Sequence, residues 1–366
     1  MEGFIGNEKL ISGEKLRSYN QRTNLRGCLQ TGSHLTAISL AAYALHNSWG
    51  SYWAALWFVV LGTLLNFLYA GQHELSHWTV FKARWPNNLF GHLFGFILLM
   101  PREHDRMEHY QHHRHTQDPD LDGELQGSPY FNTRSYLWYA SGLGYWTGII
   151  WRTFGTAFKL RFPAFFTPKQ CLLSTLEARL YLFGYLLIAL LSWYLQSWAV
   201  IAYWIAPMFA TKFIHNCQNL AEHTGMPNES DILINTRTIK SNALLNWLAW
   251  NMPYHTAHHT YPAVPFYKLP QLHAEMVAAS GREPETISYL SYQWHMLRKL
   301  RREGIHIETE NDTEVGAAYI TWQMQNGATL GEALENSLDD LDGFFTFVVG
   351  TKDGFGVVRD PIACMP

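Results

Sequence analysis

The residues of this sequence that could do chemistry are its histidines, which lie in short clusters. Four of the 18 histidines fall within HYQHHRH (109–115), and two more begin and end HELSH (73–77). HTAHH (255–259) repeats the spacing of HYQHH. On a helix, positions i, i+3 and i+4 share one face, so each cluster presents its imidazoles to a common centre. Imidazole is a ligand for Zn, Fe, Cu and Ni, so the clusters predict a metal site.

The number of imidazoles bears on the number of metal ions. HELSH alone also fits the HExxH pattern of zinc proteases, in which Glu74 would be the general base. A catalytic zinc site uses three protein ligands, whereas the clusters supply eight or nine imidazoles. This set is too large for one ion and favours two. Open positions on nitrogen-ligated iron are typical of oxygen chemistry, so the residues predict a dinuclear iron site, with the zinc protease as an alternative.

The spacing of charges predicts the elements that hold these clusters. Residues 27–81 and residues 180–211 contain no Lys or Arg. With a few flanking residues, each segment can supply two membrane crossings, since one crossing needs about 20 apolar residues, or roughly 17 at the low end. NSWGS (47–51) and QSW (196–198) are expected to be the turns between paired spans. The predicted spans are residues 33–48, 52–71, 178–196 and 198–215.

The distribution of basic residues orients these spans. The arm 1–32 holds five Lys or Arg and the segment 72–176 holds ten, whereas the two short turns hold none. By the positive-inside rule both hairpins enter the membrane from the cytoplasm, so every histidine cluster faces the cytoplasm. The predicted fold is an all-α integral membrane protein: four transmembrane helices in two hairpins, with a cytoplasmic helical cap that carries a di-metal site. We expect a multi-pass protein of the bacterial inner membrane. The arm resembles no signal peptide, and the net charge of −3 suggests no nucleic-acid partner.

Three motifs carry a resemblance to a known family. HELSH, HYQHH followed by RHTQDPD, and HTAHH followed by TYPAVPFYKLP resemble the three histidine boxes of the membrane fatty acid desaturases, over about residues 33–275. NLAEH (219–223) matches the Asn-x3-His pair of that family, and EHTG (222–225) is similar to a motif of membrane alkane hydroxylases. The metal ligands that the resemblance implies are His73, His77, His109, His112, His113, Asn219, His223, His255, His258 and His259.

The resemblance implies an O2-dependent di-iron oxidoreductase that desaturates a fatty acyl chain of a lipid by C–H hydrogen abstraction. The expected cofactors are two Fe ions, with O2 as co-substrate. Electrons are expected from a separate ferredoxin- or cytochrome-type carrier and its reductase, and a homo-oligomer is possible. The alternative is a hydroxylase of the same fold, acting on an alkane, terpenoid or alkylamine. The membrane zinc protease is the third hypothesis.

Other polar residues near the motifs are given structural or supporting roles. His104 and His115 flank the second box as supporting or surface groups, and His92, His215 and His273 are expected to be structural. Ligating imidazoles usually donate their second N–H to a carboxylate. The candidate carboxylates are Glu74, Asp105, Glu108, Asp118, Asp120 and Glu222.

The composition changes near RKLRREG (298–304), so we divide the chain into a desaturase-like domain, 1–303, and a small α+β tail, 304–366. The tail is expected to contain a helix capped by Asn311 or Asp312, a helix capped by Thr329, and a hairpin around GTKDG (350–354). It resembles an interior piece of the glutamine amidotransferase domain of glutamate-synthase-type enzymes. Because that family uses an N-terminal cysteine nucleophile and this chain begins Met1-Glu2, the tail is expected to be non-catalytic.

Overall fold

A computed structural model describes residues 10–118, 120–124, 133–160, 162–302, 312–340, 346–351 and 354–359. It separates into two compact units, one of residues 1–129 and 137–294, the other of residues 130–136 and 295–366. The described part of the chain is mostly helical. The helices are α1 (Gly13–Tyr19), α2 (Asn24–Asn47), α3 (Tyr52–Ser76), α4 (Arg84–Ile97), α5 (Arg102–His115), α6 (Thr133–Ala140), α7 (Leu143–Ala157), α8 (Pro168–Tyr194), α9 (Ala206–His223), α10 (Ile232–Asn235), α11 (Ala243–Leu248), α12 (His255–Thr260), α13 (Leu269–Ser280), α14 (Tyr289–Arg302), α15 (Asp312–Gln325) and α16 (Leu330–Asp340). The strands are β1 (Thr238–Lys240), β2 (Thr286–Ser288), β3 (Thr346–Thr351) and β4 (Gly354–Arg359).

Two helices have the length and hydropathy needed to cross a membrane. These are α3, with a mean hydropathy of 1.7 over its most apolar 18 residues, and α8, with 1.4. The other two predicted spans overlap α2 and α9, the latter preceded by a π-helix at Ile201–Ile205. The turns predicted at NSWGS and QSW do separate these helices. The four-span arrangement itself stays a prediction.

Helix α3 is the central element of the first unit, and it packs against α2, α4 and α9. At Gly62 a Cβ atom would overlap the carbonyl group of Pro207, so only glycine allows α3 and α9 to approach this closely. The buried Asn66 donates from its amide to the Met208 carbonyl at 2.8 Å and contacts the Thr211 hydroxyl at 3.1 Å. This contact fixes the two helices side by side, with their histidine-bearing ends together.

A buried arginine anchors α5. Arg102 lies at the start of α5 and donates to the carbonyl of Leu75, in the last turn of α3, at 3.2 Å. A cation there is favoured because the C-terminal carbonyl groups of a helix carry partial negative charge. Gly91 of α4 lies directly against the Arg102 side chain. The contacts bring the histidines of α5 beside those of α3.

Strands β1 and β2 form a parallel pair, in which Ile239 aligns with Ile287. The N–H of Ile239 donates to the Pro253 carbonyl at 2.7 Å, two residues before α12. The pair therefore supports the short helix that carries HTAHH.

In the second unit, β3 and β4 form an antiparallel hairpin in which Val348 faces Val357. This confirms the predicted hairpin. Thr329 and Glu332 cap α16 reciprocally, which confirms the predicted N-cap. Helix α15 begins at Asp312, and Asn311 lies outside the described residues. Ile320, Ala333 and Leu334 form a small apolar core against the hairpin.

Candidate metal centre

Four separate segments bring their histidines together at the ends of α3, α5, α9 and α12. Among the described residues, two groups have ligand nitrogens within 4.8 Å of one another. The first group consists of His73, His77, His109, His113 and His258. The second group consists of His112, His223 and His259.

In the first group the Nε2 atoms converge on one point. Nε2 of His109 lies 2.9 Å from Nε2 of His77 and 2.8 Å from Nε2 of His113. Nε2 of His258 lies 3.2 Å from Nε2 of His113. Nitrogens this close need a shared proton or a cation between them, and a metal ion satisfies all of them at once.

The second group is arranged in the same way. Nε2 of His223 lies 3.2 Å from Nε2 of His112 and 2.6 Å from Nε2 of His255, so His255 adjoins this group. Asn219 is half-buried and lines a small cavity together with His223 and His255. All nine implied histidine ligands thus lie in or beside the two groups, and Asn219 faces the same cavity.

Burial sets the protonation of these imidazoles. It lowers the pKa of seven of them well below the ordinary value, and the neighbouring histidines lower it further, because two imidazolium ions repel each other. The seven are His77, His109, His113, His223, His255, His258 and His259. They are therefore neutral at pH 7, which is the state that binds metal.

His112 is the exception. Burial lowers its pKa, but the charges of Glu124 and Asp122 together outweigh burial and raise it to about 9. Both carboxylate oxygens of Asp122 lie 2.9 Å from Nδ1 of His112. Glu124 lies 2.9 Å from Nδ1 of His109. Carboxylates at Nδ1 hold the ring so that Nε2 faces the metal.

Sequence reasoning missed both of these carboxylates. Asp122 and Glu124 lie in the turn that follows α5, so helical spacing does not connect them with His109 or His112. The available signal was the acidic stretch DPDLDGE directly after the second box. Gln117 supports this turn: its backbone N–H donates to Asp122 at 2.9 Å, and its side chain donates to the His223 carbonyl at 2.7 Å.

Two of the proposed carboxylates do face ligand rings. Glu74 is fully buried, with Oε1 3.4 Å from Nδ1 of His258 and 3.7 Å from Nδ1 of His73. Its other oxygen accepts from the Thr79 hydroxyl at 2.7 Å. Glu222 lies 3.8 Å from Nδ1 of His255.

Three other proposed carboxylates were wrong as partners of the ligands. Asp105 accepts from Gln72 at 3.2 Å. Glu108 pairs with Arg152 and contacts His104. Asp118 pairs with His115 at 3.4 Å. The polar partners of these three side chains are thus groups other than the implied metal ligands.

The three histidines that were expected to be structural lie outside both groups. His92 contacts Glu177 at 2.5 Å, and His215 contacts Lys212 at 3.2 Å. His273 packs its ring against Tyr254. These contacts agree with structural roles.

The donor set fits two transition-metal ions, one at each group. The nitrogens are buried, mostly neutral and convergent, and several rings are held from behind by carboxylates. Nε2 of His259, a member of the second group, is buried and has no hydrogen-bond partner in the described part of the chain.

Fold and site together define a helical protein with a histidine-rich centre that could hold two metal ions. The family model for the fatty acid desaturases matches residues 48–291. The chain belongs to the fatty acid desaturase family and is an oxidoreductase of that family. Family membership and the two long apolar helices also support a membrane protein.

Two curated relatives match much of this domain. The sn-1 oleoyl-lipid 12-desaturase of Anabaena variabilis is 24% identical over 254 residues, 60% of this chain and 69% of that protein. The sphingolipid delta(4)-desaturase of Candida albicans is 23% identical over 340 residues, 83% of this chain and 86% of that protein.

A different relative matches a shorter part. The glutamine amidotransferase-like protein GlxB of Rhizobium meliloti is 68% identical over 77 residues, 21% of this chain. The match covers 26% of GlxB, so the chain spans about a quarter of that protein. This agrees with the amidotransferase resemblance of the tail.

Proposed function

We propose that this protein is an O2-dependent di-iron enzyme that desaturates an acyl chain of a membrane lipid. The observation that carries the proposal is the convergence of nine histidines from four segments into two adjacent groups. Desaturase-family membership and the lipid desaturases among the relatives support the substrate class.

Each group holds one iron ion in this proposal. His73, His77, His109, His113 and His258 would hold the first. His112, His223, His255 and His259 would hold the second, with Asn219 as a further ligand. When bound, the iron pair supplies the reduction of O2 and the oxidation of an unactivated C–H bond. Desaturation of one CH2–CH2 unit consumes one O2, two electrons and two protons, and it yields one double bond and two waters.

The protein's own residues keep the donor set in place. Asp122 and Glu124 hold the His112 and His109 imidazoles at Nδ1, so that their metal-facing nitrogens would need no rearrangement on binding, and Glu74 lies near Nδ1 of His258. Burial keeps most of these rings neutral. Helix α3 ends at the site, so a hydrocarbon chain in the bilayer would reach the metal centre along the apolar helices. The side of the protein that carries the metal centre would face the cytoplasm.

The position of Glu74 argues against the zinc protease. A general base must face the metal-bound water. Glu74 instead lies on the Nδ1 side of His73 and His258, opposite their metal-facing nitrogens, and is fully buried.

The tail carries no residue of either group, so we propose that it is non-catalytic and serves as a docking or oligomerisation element.

Expression in cells supplied with 18O2, followed by mass spectrometry of lipids and metabolites, tests the function. The expected product is a lipid that has lost two hydrogens and contains no 18O, and the purified protein should contain about two irons per chain. The matched control is His258→Ala, which should abolish product formation. A product that has gained one 18O would establish the hydroxylase, and about one zinc with no iron would establish the protease.

A further inference from the structure

A patch of cationic and aromatic side chains lies beside the first metal group. Trp78 directly follows the ligand His77 and is half-buried. The guanidinium groups of Arg84 and Arg106 each lie 4.7 Å from the centre of a Trp78 ring. The two contacts are cation–π interactions, which arginine makes readily with indole.

The conformation of Trp78 is specified by the surrounding structure. Its φ of 56° lies in the left-handed region, which is unfavourable for a residue with a large side chain. The indole N–H donates to Asn88 at 2.8 Å. Backbone strain that surrounding contacts maintain is found preferentially at functional sites.

A continuous set of contacts connects this surface with the metal group. Arg106 also lies over the Tyr110 ring, at 5.7 Å. The Tyr110 ring is 5.6 Å from the His77 ring, and its hydroxyl donates to the Ser76 carbonyl at 2.7 Å. His77 and His113 are half-buried, whereas His73, His109 and His258 are buried. His77 is therefore one of two ligands of the first group that approach the surface, and Trp78 directly follows it in the sequence.

Basic side chains predominate in the segments around Trp78. Lys82 and Arg84 are exposed. The N–H of Lys82 donates to the Asn24 side chain at 2.9 Å, and Asn24 is two residues from both the half-buried Arg22 and the exposed Arg26. Neither residues 15–73 nor residues 75–102 contain an Asp or Glu. Glu103, the next carboxylate along the chain, is paired with Arg102 and Arg106, so the charge of Arg106 is partly offset.

We propose that this patch, formed by Arg22, Arg26, Trp78, Lys82, Arg84 and Arg106, docks an acidic one-electron carrier protein, which delivers electrons beside His77. The proposal rests on the di-iron function above. A positive surface steers an acidic partner, and electron-transfer complexes have small interfaces. Two reduced carriers each give one electron per turnover; with one O2 and two protons they account for the desaturated lipid and two waters.

Binding of a purified acidic [2Fe–2S] ferredoxin to the full-length protein, measured by surface plasmon resonance, tests the docking directly. The double variant K82E/R84E should weaken binding by about tenfold or more at low ionic strength, because it replaces attraction by repulsion. Binding to the wild type should also weaken as salt shortens the screening length. Lys240→Glu is the matched control, an exposed lysine on β1, and should change binding by less than about twofold.

A second readout separates docking from metal chemistry. With dithionite as reductant, K82E/R84E should form product at the wild-type rate, whereas ferredoxin-driven turnover should fall with binding. Trp78→Leu should slow ferredoxin-driven turnover more than dithionite-driven turnover, and Trp78→Phe should restore part of the difference.

Unchanged ferredoxin binding in K82E/R84E would overturn the proposal. So would a double variant that loses capture of phosphatidylglycerol vesicles instead, since the patch would then contact the anionic membrane surface. The binding measurement needs neither iron nor substrate. If the wild type forms no product even with dithionite, the proposed function is wrong. Ferredoxin binding to the wild type and to K82E/R84E would still test the docking proposal.

Discussion

At the scale of single residues, the unusual feature of the centre is the unequal protonation of its histidines. Seven imidazoles have lowered pKa values because they are buried together. His112 has a raised pKa because Asp122 and Glu124 are close. The second group therefore binds metal only after His112 releases a proton, whereas the first group is ready at neutral pH.

Asp122→Asn is expected to weaken metal binding at the second group. The change removes the charge that orients His112, and losses of such carboxylates cost about 10- to 100-fold in metal affinity. In the wild type, iron affinity of the second group should rise with pH up to about 9 and then level off, since protons compete with the metal below the pKa of His112. In the variant the rise should end at lower pH. Competition with a coloured chelator between about pH 6 and 10 measures both effects.

Asp118→Asn is the control for this change, because Asp118 pairs with His115 outside both groups. It should leave the iron affinity unchanged. Equal losses of iron affinity in the two variants would mean that the turn after α5 matters for folding only. Asp122 would then have no specific role at His112.

At the scale of elements, the site depends on close packing at the centre of the bundle. His73 and His77 come from α3 and His223 from α9, so their separation depends on how near the two helices lie. Gly62 sets that distance against Pro207, and Asn66 holds it through the Met208 carbonyl.

Gly62→Ala is expected to destabilise the protein by about 1–3 kcal/mol, because the added methyl group has no space against the Pro207 carbonyl. The two helices should separate slightly, so iron content should fall together with the melting temperature. Thermal unfolding in detergent and metal analysis measure the two quantities. Gly148→Ala in α7 is the control, since nothing lies within 4 Å of the added methyl group. A stable G62A protein with full iron content would contradict this account.

The histidine clusters that the structure brings together could be found from the sequence because their spacing is local: i, i+3 and i+4 on one helix is visible without a fold. The sequence also predicted the turns between the long helices. It could not predict how the clusters divide. His112 and His113 are neighbours in sequence but belong to different groups, because successive residues of a helix point about 100° apart. Asp122 and Glu124 were missed for a related reason, since a turn rather than a helix brings them back to α5.

At the scale of the whole molecule, all implied ligands come from one compact unit. The tail forms its own small core of α15, α16 and the hairpin. One face of that hairpin exposes Val348, Phe355 and Val357, at 73%, 80% and 58%. An exposed apolar face is typical of a surface that contacts another protein. This supports a docking or oligomerisation role for the tail, which contains none of the implied metal ligands.

Removal of residues 303–366 is therefore expected to leave iron content and O2-dependent lipid oxidation within about twofold of the full chain, since the metal groups keep every ligand and every supporting carboxylate. Purified protein, metal analysis and lipid mass spectrometry measure this. Removal of residues 282–366 is the matched comparison, because it also deletes β2 and the pairing of Glu285 with Arg237. Without β2 the support of α12 is lost, so His255, His258 and His259 should no longer hold their positions and iron should be lost. Loss of iron in the shorter deletion as well would show that the tail stabilises the centre.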